Sequence, residues 1–335
     1  MRTAPNSPAV PSRSDVVVSE VRLPVGTHDG ETHVAATVYA PADLAGPATV
    51  VCAFPGGGYG RRYYEIDHVD VHGPGQASWH AARGIVFVAF DPYGDGDGTH
   101  LPEESRGLRE TCAAMHQATT SIKSMLEGGT LWPQSAPVTV DRLVGVGHSL
   151  GGMQLVAQQA WHSTFDAVAV LGWSCVQTVV PTADGKDFLS PHHDPSAAAL
   201  DAAWAGPLVD ERSHLRFAYY WDDVSPGLVE EEMGVGFPVR TADPLPAWIT
   251  PRFPPFAAVC LEPGIVGEEA ASITVPVFIS AGERDVLKDL GQEVPAYSAS
   301  RDITMFKVPR CAHMHNLSPQ RELLWDRLHR WVVSL

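Results

Sequence analysis

The chain has 335 residues, a length that suits one large α/β domain with an insertion or two modest domains. Its formal net charge of −16 argues against a nucleic-acid or anionic-membrane surface, since both recruit clustered Lys and Arg. Five scattered cysteines (Cys52, Cys112, Cys175, Cys260 and Cys311) show no C-x-x-C spacing, which indicates neither a disulfide framework nor a zinc ribbon and points to a reduced cytoplasm.

Residues 1–14 hold Pro5, Pro8 and Pro11 and no continuous apolar core, so they read as a disordered lead and not as an ordinary secretory signal. No stretch reaches the roughly 18 uninterrupted apolar residues of a membrane span. Residues 16–25 and 33–40 alternate apolar and polar side chains and predict two edge strands joined by a turn at 26–30. Residues 48–54 form a continuous apolar run, the mark of a strand buried on both faces. Pro55-Gly56-Gly57-Gly58-Tyr59-Gly60 follows at once. A helix is expected over 75–82, and a second buried strand over 85–90 that ends in the turn Asp91-Pro92-Tyr93-Gly94-Asp95-Gly96.

Residues 105–126 read as a helix with Leu108, Cys112, Met115 and Ile122 on one side. A strand over 143–147 runs into a helix whose apolar residues Met153, Val156, Ala157, Ala160 and Trp161 keep helical spacing. Further strands are expected at 165–173, 275–281 and 303–308. Ser318-Pro319 starts a last helix, with Leu324, Leu328, Trp331, Val332 and Leu335 on its apolar face. A hairpin followed by repeated strand–helix units predicts a mostly parallel, twisted sheet with helices on both faces.

One segment breaks this rhythm. Residues 174–274 are rich in proline and hold Trp204, Phe217, Tyr219, Tyr220, Trp221, Phe237, Trp248, Phe253 and Phe256. The segment is too long for a plain connection, so it reads as a cap inserted into a core made of 15–173 and 275–335. Its aromatics suit a substrate pocket and core packing equally well.

The chemistry is concentrated around Gly147-His148-Ser149-Leu150-Gly151, where a strand ends and a helix begins. The Gly-x-Ser-x-Gly spacing predicts a sharp turn that lifts Ser149 Oγ clear of the sheet. The helix dipole and the free amide of Leu150 would face any negative charge formed beside it. A serine needs a base, and the base needs a third group to hold it. In a doubly wound sheet both belong past the carboxyl ends of later strands. Asp285 follows the strand at 275–281 in the turn Gly282-Glu283-Arg284-Asp285, and His313 lies directly past the strand at 303–308. His315 in the same loop is the rival base. His148 reads as a packing residue, and Asp289 and Asp302 are weaker acid candidates. His192-His193-Asp194 has no further ligands at metal spacing, and Asp95 with Asp97 lacks the spacing and closing glutamate of a calcium loop, so both read as loop residues.

From about Val34 to Leu335 the chain resembles an α/β-hydrolase of the serine-esterase type. The resemblance rests on the Ser149 elbow, the glycine-rich turn after Phe54, the Asp91-x-x-Gly94-x-Gly96 turn and the Gly-x-x-Asp285 turn, in that family's order. It implies the α/β-hydrolase fold, with Ser149 as nucleophile, Asp285 as orienting acid and His313 as general base. The chain departs from the family's pattern at Pro55, where a histidine usually precedes the glycines. Loss of that side chain leaves the backbone amides in place. One oxyanion donor is expected from Leu150 and the other from Gly56, Gly57 or Gly58, with Gly57 preferred; one such preorganised donor contributes about 2.7–4 kcal/mol. The expected reaction is hydrolysis of a small apolar or aromatic carboxylic ester through an acyl-enzyme, with no cofactor or metal. The same triad would also serve a lactone, an amide, a thioester, a diketone C–C bond or acyl transfer, and a ligand-binding member without chemistry is the third reading. A small-molecule ester is the expected partner, with no nucleic acid, and a homo-oligomer stays open.

Overall fold

A computed structural model describes residues 15–26, 32–132, 136–185, 187–188, 215–234, 240 and 243–335. The expected lead at 1–14, nearly all of the turn at 26–30, the His192-His193-Asp194 stretch, Trp204 and Phe237 lie outside these residues.

The strands are β1 (Val16–Pro24), β2 (His33–Pro41), β3 (Ala48–Phe54), β4 (Val86–Phe90), β5 (Val140–His148), β6 (Ala167–Leu171), a small ribbon of β7 (Val180–Pro181) with β8 (Asp187–Phe188), then β9 (Val277–Gly282) and β10 (Ile303–Val308). Eight of them make one sheet in the order β1-β2-β4-β3-β5-β6-β9-β10. β2 runs antiparallel to both β1 and β4, and every other pairing in the sheet is parallel. β4, and β3 apart from Thr49, are apolar along their length because both of their faces are covered. β2 departs from expectation. It is an interior strand, buried from Val34 to Pro41, because β4 pairs along its second edge and leaves only β1 at the border.

The helices are α1 (Gln76–Ala81), α2 (Leu108–Gly128), α3 (Leu150–His162), α4 (Pro226–Gly234), α5 (Gly267–Ser272) and α6 (Arg321–Ser334). On one face Cys112, Met115, Ala118 and Ile122 of α2 and Met153, Val156 and Ala157 of α3 pack on the sheet through Val50, Val88 and Val168. On the other face Ala77 and Trp79 of α1 and Leu324, Leu328 and Trp331 of α6 meet Val51, Phe87, Val144 and Phe278. α2 closes with Gly129 in the left-handed conformation, as a helix followed by glycine should.

This order fixes where the loops meet. β5 lies between β3 and β6, so the loop after β3 runs beside the loop after β5. β9 and β10 are neighbours, so the loops carrying Asp285 and His313 also run side by side. All four are at the carboxyl ends of parallel strands, where such sheets bind ligands. Among the described residues, no helix is long and apolar enough to cross a membrane.

Candidate active site

Ser149 sits between β5 and α3 at φ 54° and ψ −123°, a conformation strained for any residue but glycine. The neighbouring glycines make the turn feasible. A Cβ on Gly147 would lie 2.6 Å from the carbonyl carbon of Gly151, and one on Gly151 would lie 2.6 Å from the Pro55 oxygen. The Ser149 amide donates to the Leu171 carbonyl at 2.8 Å, which ties the elbow to β6.

The loop after β10 brings an imidazole to the serine. His313 Nε2 lies 2.9 Å from Ser149 Oγ, and His313 Nδ1 lies 2.7 Å from Asp285 Oδ1. Gly172, just past β6, leaves room for this ring. A Cβ there would lie 3.1 Å from His313 Nδ1, and its φ of +58° also favours glycine. His315 does not face the serine. Its Nε2 lies 2.7 Å from the other Asp285 oxygen, Oδ2. Asp285 also accepts from the amides of Gly282 and Val286, each at 2.7 Å. Burial is the largest single influence on this carboxyl and opposes its charge. The two imidazoles and their hydrogen bonds outweigh it and hold the group well below the usual carboxylate range.

His148 is buried and stacks on Tyr63 with ring centroids 5.2 Å apart, consistent with a packing residue. Its Nε2 also lies 2.8 Å from the His313 carbonyl, so that nitrogen must be the donor. Burial first, and then the like charges of His313 and His315, push His148 well below the ordinary histidine range, so it stays neutral. The weaker acids are elsewhere. Asp289 caps a short turn by accepting from the Gly291 amide at 2.8 Å, and Asp302 is exposed at the amino end of β10. Asp95 pairs with Arg106 and Arg252, and Asp97 with Arg61, so arginines occupy the carboxylates that a calcium reading would need.

The glycine loop lies over the elbow. A Cβ on Gly56 would sit 3.2 Å from Ser149 Cβ, and one on Gly57 would overlap the Leu150 side chain and come within 2.7 Å of Phe253. Gly56 and Gly57 therefore place backbone directly beside Ser149 and Leu150. The amides of Leu150 and Gly151 open α3, where helical geometry leaves no acceptor for them. Hydrogen bonds to residues of 174–274 hold this loop. The Gly60 amide donates to Trp248 O at 2.9 Å and the Thr250 amide donates to Gly58 O at 3.0 Å. Tyr59 Oη donates to Glu232 at 2.6 Å, and that buried carboxylate of α4 also accepts from Tyr220 and Trp248.

Among the described residues of 174–274, Tyr219 and Phe253 stand beside His313 and the glycine loop. Tyr219 lies beside His313 with ring centroids 4.9 Å apart, and its carbonyl accepts the Met314 amide at 2.9 Å. Phe253 covers Gly57 and Gly58. Sequence reasoning singled out Ser149, Asp285, His313, Leu150 and Gly57, and all five gather here. It missed the second contact on Asp285, the room made by Gly172 and the buried Glu232. A glycine directly past a strand was the available signal for Gly172; Glu230-Glu231-Glu232 reads as a solvated face.

A sequence model described as the alpha/beta hydrolase family matches residues 50–324. No curated protein matches the chain in sequence. Solved structures with the same fold include a proline iminopeptidase from Mycobacterium smegmatis, at 14% identity and TM-score 0.58 over 94% of this chain and 98% of that one. A thermophilic esterase from Thermogutta terrifontis aligns at 12% identity and TM-score 0.60, over 94% of this chain and 98% of that one. An enol-lactonase from Burkholderia xenovorans aligns at 14% identity and TM-score 0.58, over 90% and 96%. At such identities the likeness shows the fold alone.

Proposed function

The chain belongs to the alpha/beta hydrolase family, and from that premise we propose that it is a serine hydrolase that cleaves a carboxylic ester through an acyl-enzyme. One observation carries the reading: the continuous line Ser149 Oγ, His313 Nε2, His313 Nδ1, Asp285 Oδ1, at 2.9 and 2.7 Å. Asp285 fixes the hydrogen of His313 on Nδ1, so Nε2 presents a lone pair to the serine. Ser149 Oγ attacks the carbonyl carbon while its proton passes to His313 Nε2. The charge on the former carbonyl oxygen is met by the amides of Leu150 and Gly57. The tetrahedral adduct collapses, and the leaving alkoxide takes the proton from His313, which releases an alcohol. Water then adds to the acyl-enzyme by the same steps and frees the acid and Ser149.

Residues 174–274 act as the cap in this reading, with Tyr219 and Phe253 as the walls that face the acyl group. Aromatic walls beside a small glycine loop support an apolar or aromatic substrate of modest size. The five cysteines are free thiols, in keeping with a cytoplasmic enzyme.

The test is direct. Ser149→Ala should abolish turnover of p-nitrophenyl acetate and butyrate and abolish labelling by a fluorophosphonate probe. Retained labelling overturns the assignment. A panel of lactone, thioester, anilide and diketone substrates then ranks the bond that the triad prefers.

A further inference from the structure

We propose that His315 is a positioning residue that holds Asp285 from the side opposite the general base. The proposal rests on the serine-hydrolase reading above and adds to it a second imidazole on the same carboxylate. The backbone builds this arrangement. Met314 has φ −82° and ψ 75°, and the His315 amide donates to the His313 carbonyl at 2.9 Å. That is an inverse γ-turn, the tightest reversal a chain makes. It folds His-Met-His so that the two rings reach the two oxygens of one carboxylate. His313 Nδ1 lies 2.7 Å from Oδ1, and His315 Nε2 lies 2.7 Å from Oδ2. A carboxylate only accepts, so Nε2 of His315 carries the hydrogen. Its Nδ1 is buried with no hydrogen-bond partner among the described residues, so a second hydrogen there would have nowhere to go. His315 therefore donates to Asp285 and has no route to Ser149, whose Oγ is met by His313.

The consequence is chemical as well as geometric. With Oδ2 held by His315 and the Gly282 amide, the carboxylate cannot rotate, and Oδ1 stays aimed at His313. The charge of Asp285 is shared between two donors, which moderates its pull on the imidazolium that forms during attack. Other titratable groups facing this pair are His148, whose ring centroid is 4.9 Å from that of His315, together with Tyr63, Tyr219 and Cys311. The Arg284 guanidinium turns outward to Tyr220 O and Asp222.

His315→Leu removes the donor, and His315→Gln keeps an N–H near the position of Nε2. Rates are measured on p-nitrophenyl acetate and divided by the fraction of sites titrated to completion with a fluorophosphonate, so misfolded protein drops out. For His315→Leu the expected result is a fall in kcat of about 10- to 100-fold with little change in KM. The acidic limb of its kcat/KM profile should move up by about one pH unit, because the full charge of Asp285 then favours protonation of His313. His315→Gln should restore most of kcat and the wild-type limb. Wild-type kcat and an unmoved limb in His315→Leu overturn the proposal. So does an equal loss of titratable sites in both variants with normal rates in the remainder, which marks simple fold maintenance. Loss of all turnover in His315→Leu with turnover retained in His313→Ala makes His315 the base and also overturns it. Failure of the underlying reading is distinct, since it appears as Ser149→Ala that still takes the label.

Discussion

Among the described residues, fully buried imidazoles occur at two places, three beside Ser149 and one, His80, beneath α6. In the first, the ring of His148 lies 4.9 Å from those of His313 and His315. In the second, His80 and His329 lie 5.6 Å apart, with Trp79 edge-on to both and Phe87 stacked on His80. His148 and His80 are alike in their electrostatics. Burial is the main cause, with like charge adding to it, and both are pushed well below the ordinary histidine range. The clusters part company at one residue. Asp285 lies between His313 and His315 and gives each ring a direction. At the second cluster the two Nδ1 atoms face one another at 3.4 Å, and Asp326 is engaged by Arg330 at 2.9 Å. Burial alone makes an imidazole a neutral packing ring. A buried carboxylate orders its hydrogens and leaves a lone pair pointing at a hydroxyl.

Removing that carboxylate should erase the difference. Asp285→Asn offers one acceptor and one amide donor where two imidazoles each need an acceptor. If the amide faces His313, that ring shifts its hydrogen to Nε2 and can no longer accept from Ser149. The expected loss is about 10⁴-fold in kcat. Esterase assays across pH and the rate of fluorophosphonate labelling check it. A loss below tenfold would mean that Asp285 does not order His313.

Taking away a packing ring of the first cluster tests the opposite point. His148→Phe keeps the stack on Tyr63 and deletes the hydrogen bond to the His313 carbonyl. That carbonyl still receives the His315 amide, so no buried acceptor is orphaned. Stability should fall by about 1 kcal/mol in urea titration. Activity should fall by about tenfold through looser placement of His313, which corresponds to about 1.4 kcal/mol in the barrier. A 10³-fold loss would put His148 in the proton path and not behind it.

The sequence carried much of the first cluster and little of the second. All eight strands of the large sheet were visible, because strands covered on both faces read as apolar runs such as Val50 to Phe54 and Val86 to Phe90. β2 misled because Tyr39 and Thr37 look like the polar side of an edge strand, while in space β4 and α1 bury them. Ser149, Asp285 and His313 could be picked out by their order past strand ends. Which histidine takes which oxygen of Asp285 depends on the γ-turn at Met314, a three-residue backbone choice with no composition signal. His80 and His329 are 249 positions apart, and only the packing of α6 on α1 joins them. Glu232 is similar: three consecutive glutamates suggest a wet surface, yet Tyr59, Tyr220 and Trp248 enclose the third.

The smallest effect tests whether the second cluster is inert. His80 is fully buried, and its Nε2 has no hydrogen-bond partner among the described residues. Its native form resists protonation, whereas an unfolded chain's histidine titrates near about 6.5. Above that pH both states are neutral and His80 adds no pH dependence. As the pH falls below it, only the unfolded state takes the proton, so stability declines by about 1.4 kcal/mol per pH unit for each such group. His148 behaves in the same sense. Wild-type protein should therefore lose stability between about pH 6.5 and pH 5, with His80 and His148 together contributing a slope of roughly two protons. His80→Leu should remove one of them, lowering the slope by about 1.4 kcal/mol per pH unit and leaving kcat at neutral pH unchanged. Urea midpoints at several pH values measure it. An unchanged slope would mean that His80 accepts its proton in the folded state, and the second cluster would then hold a charge with no partner assigned to it.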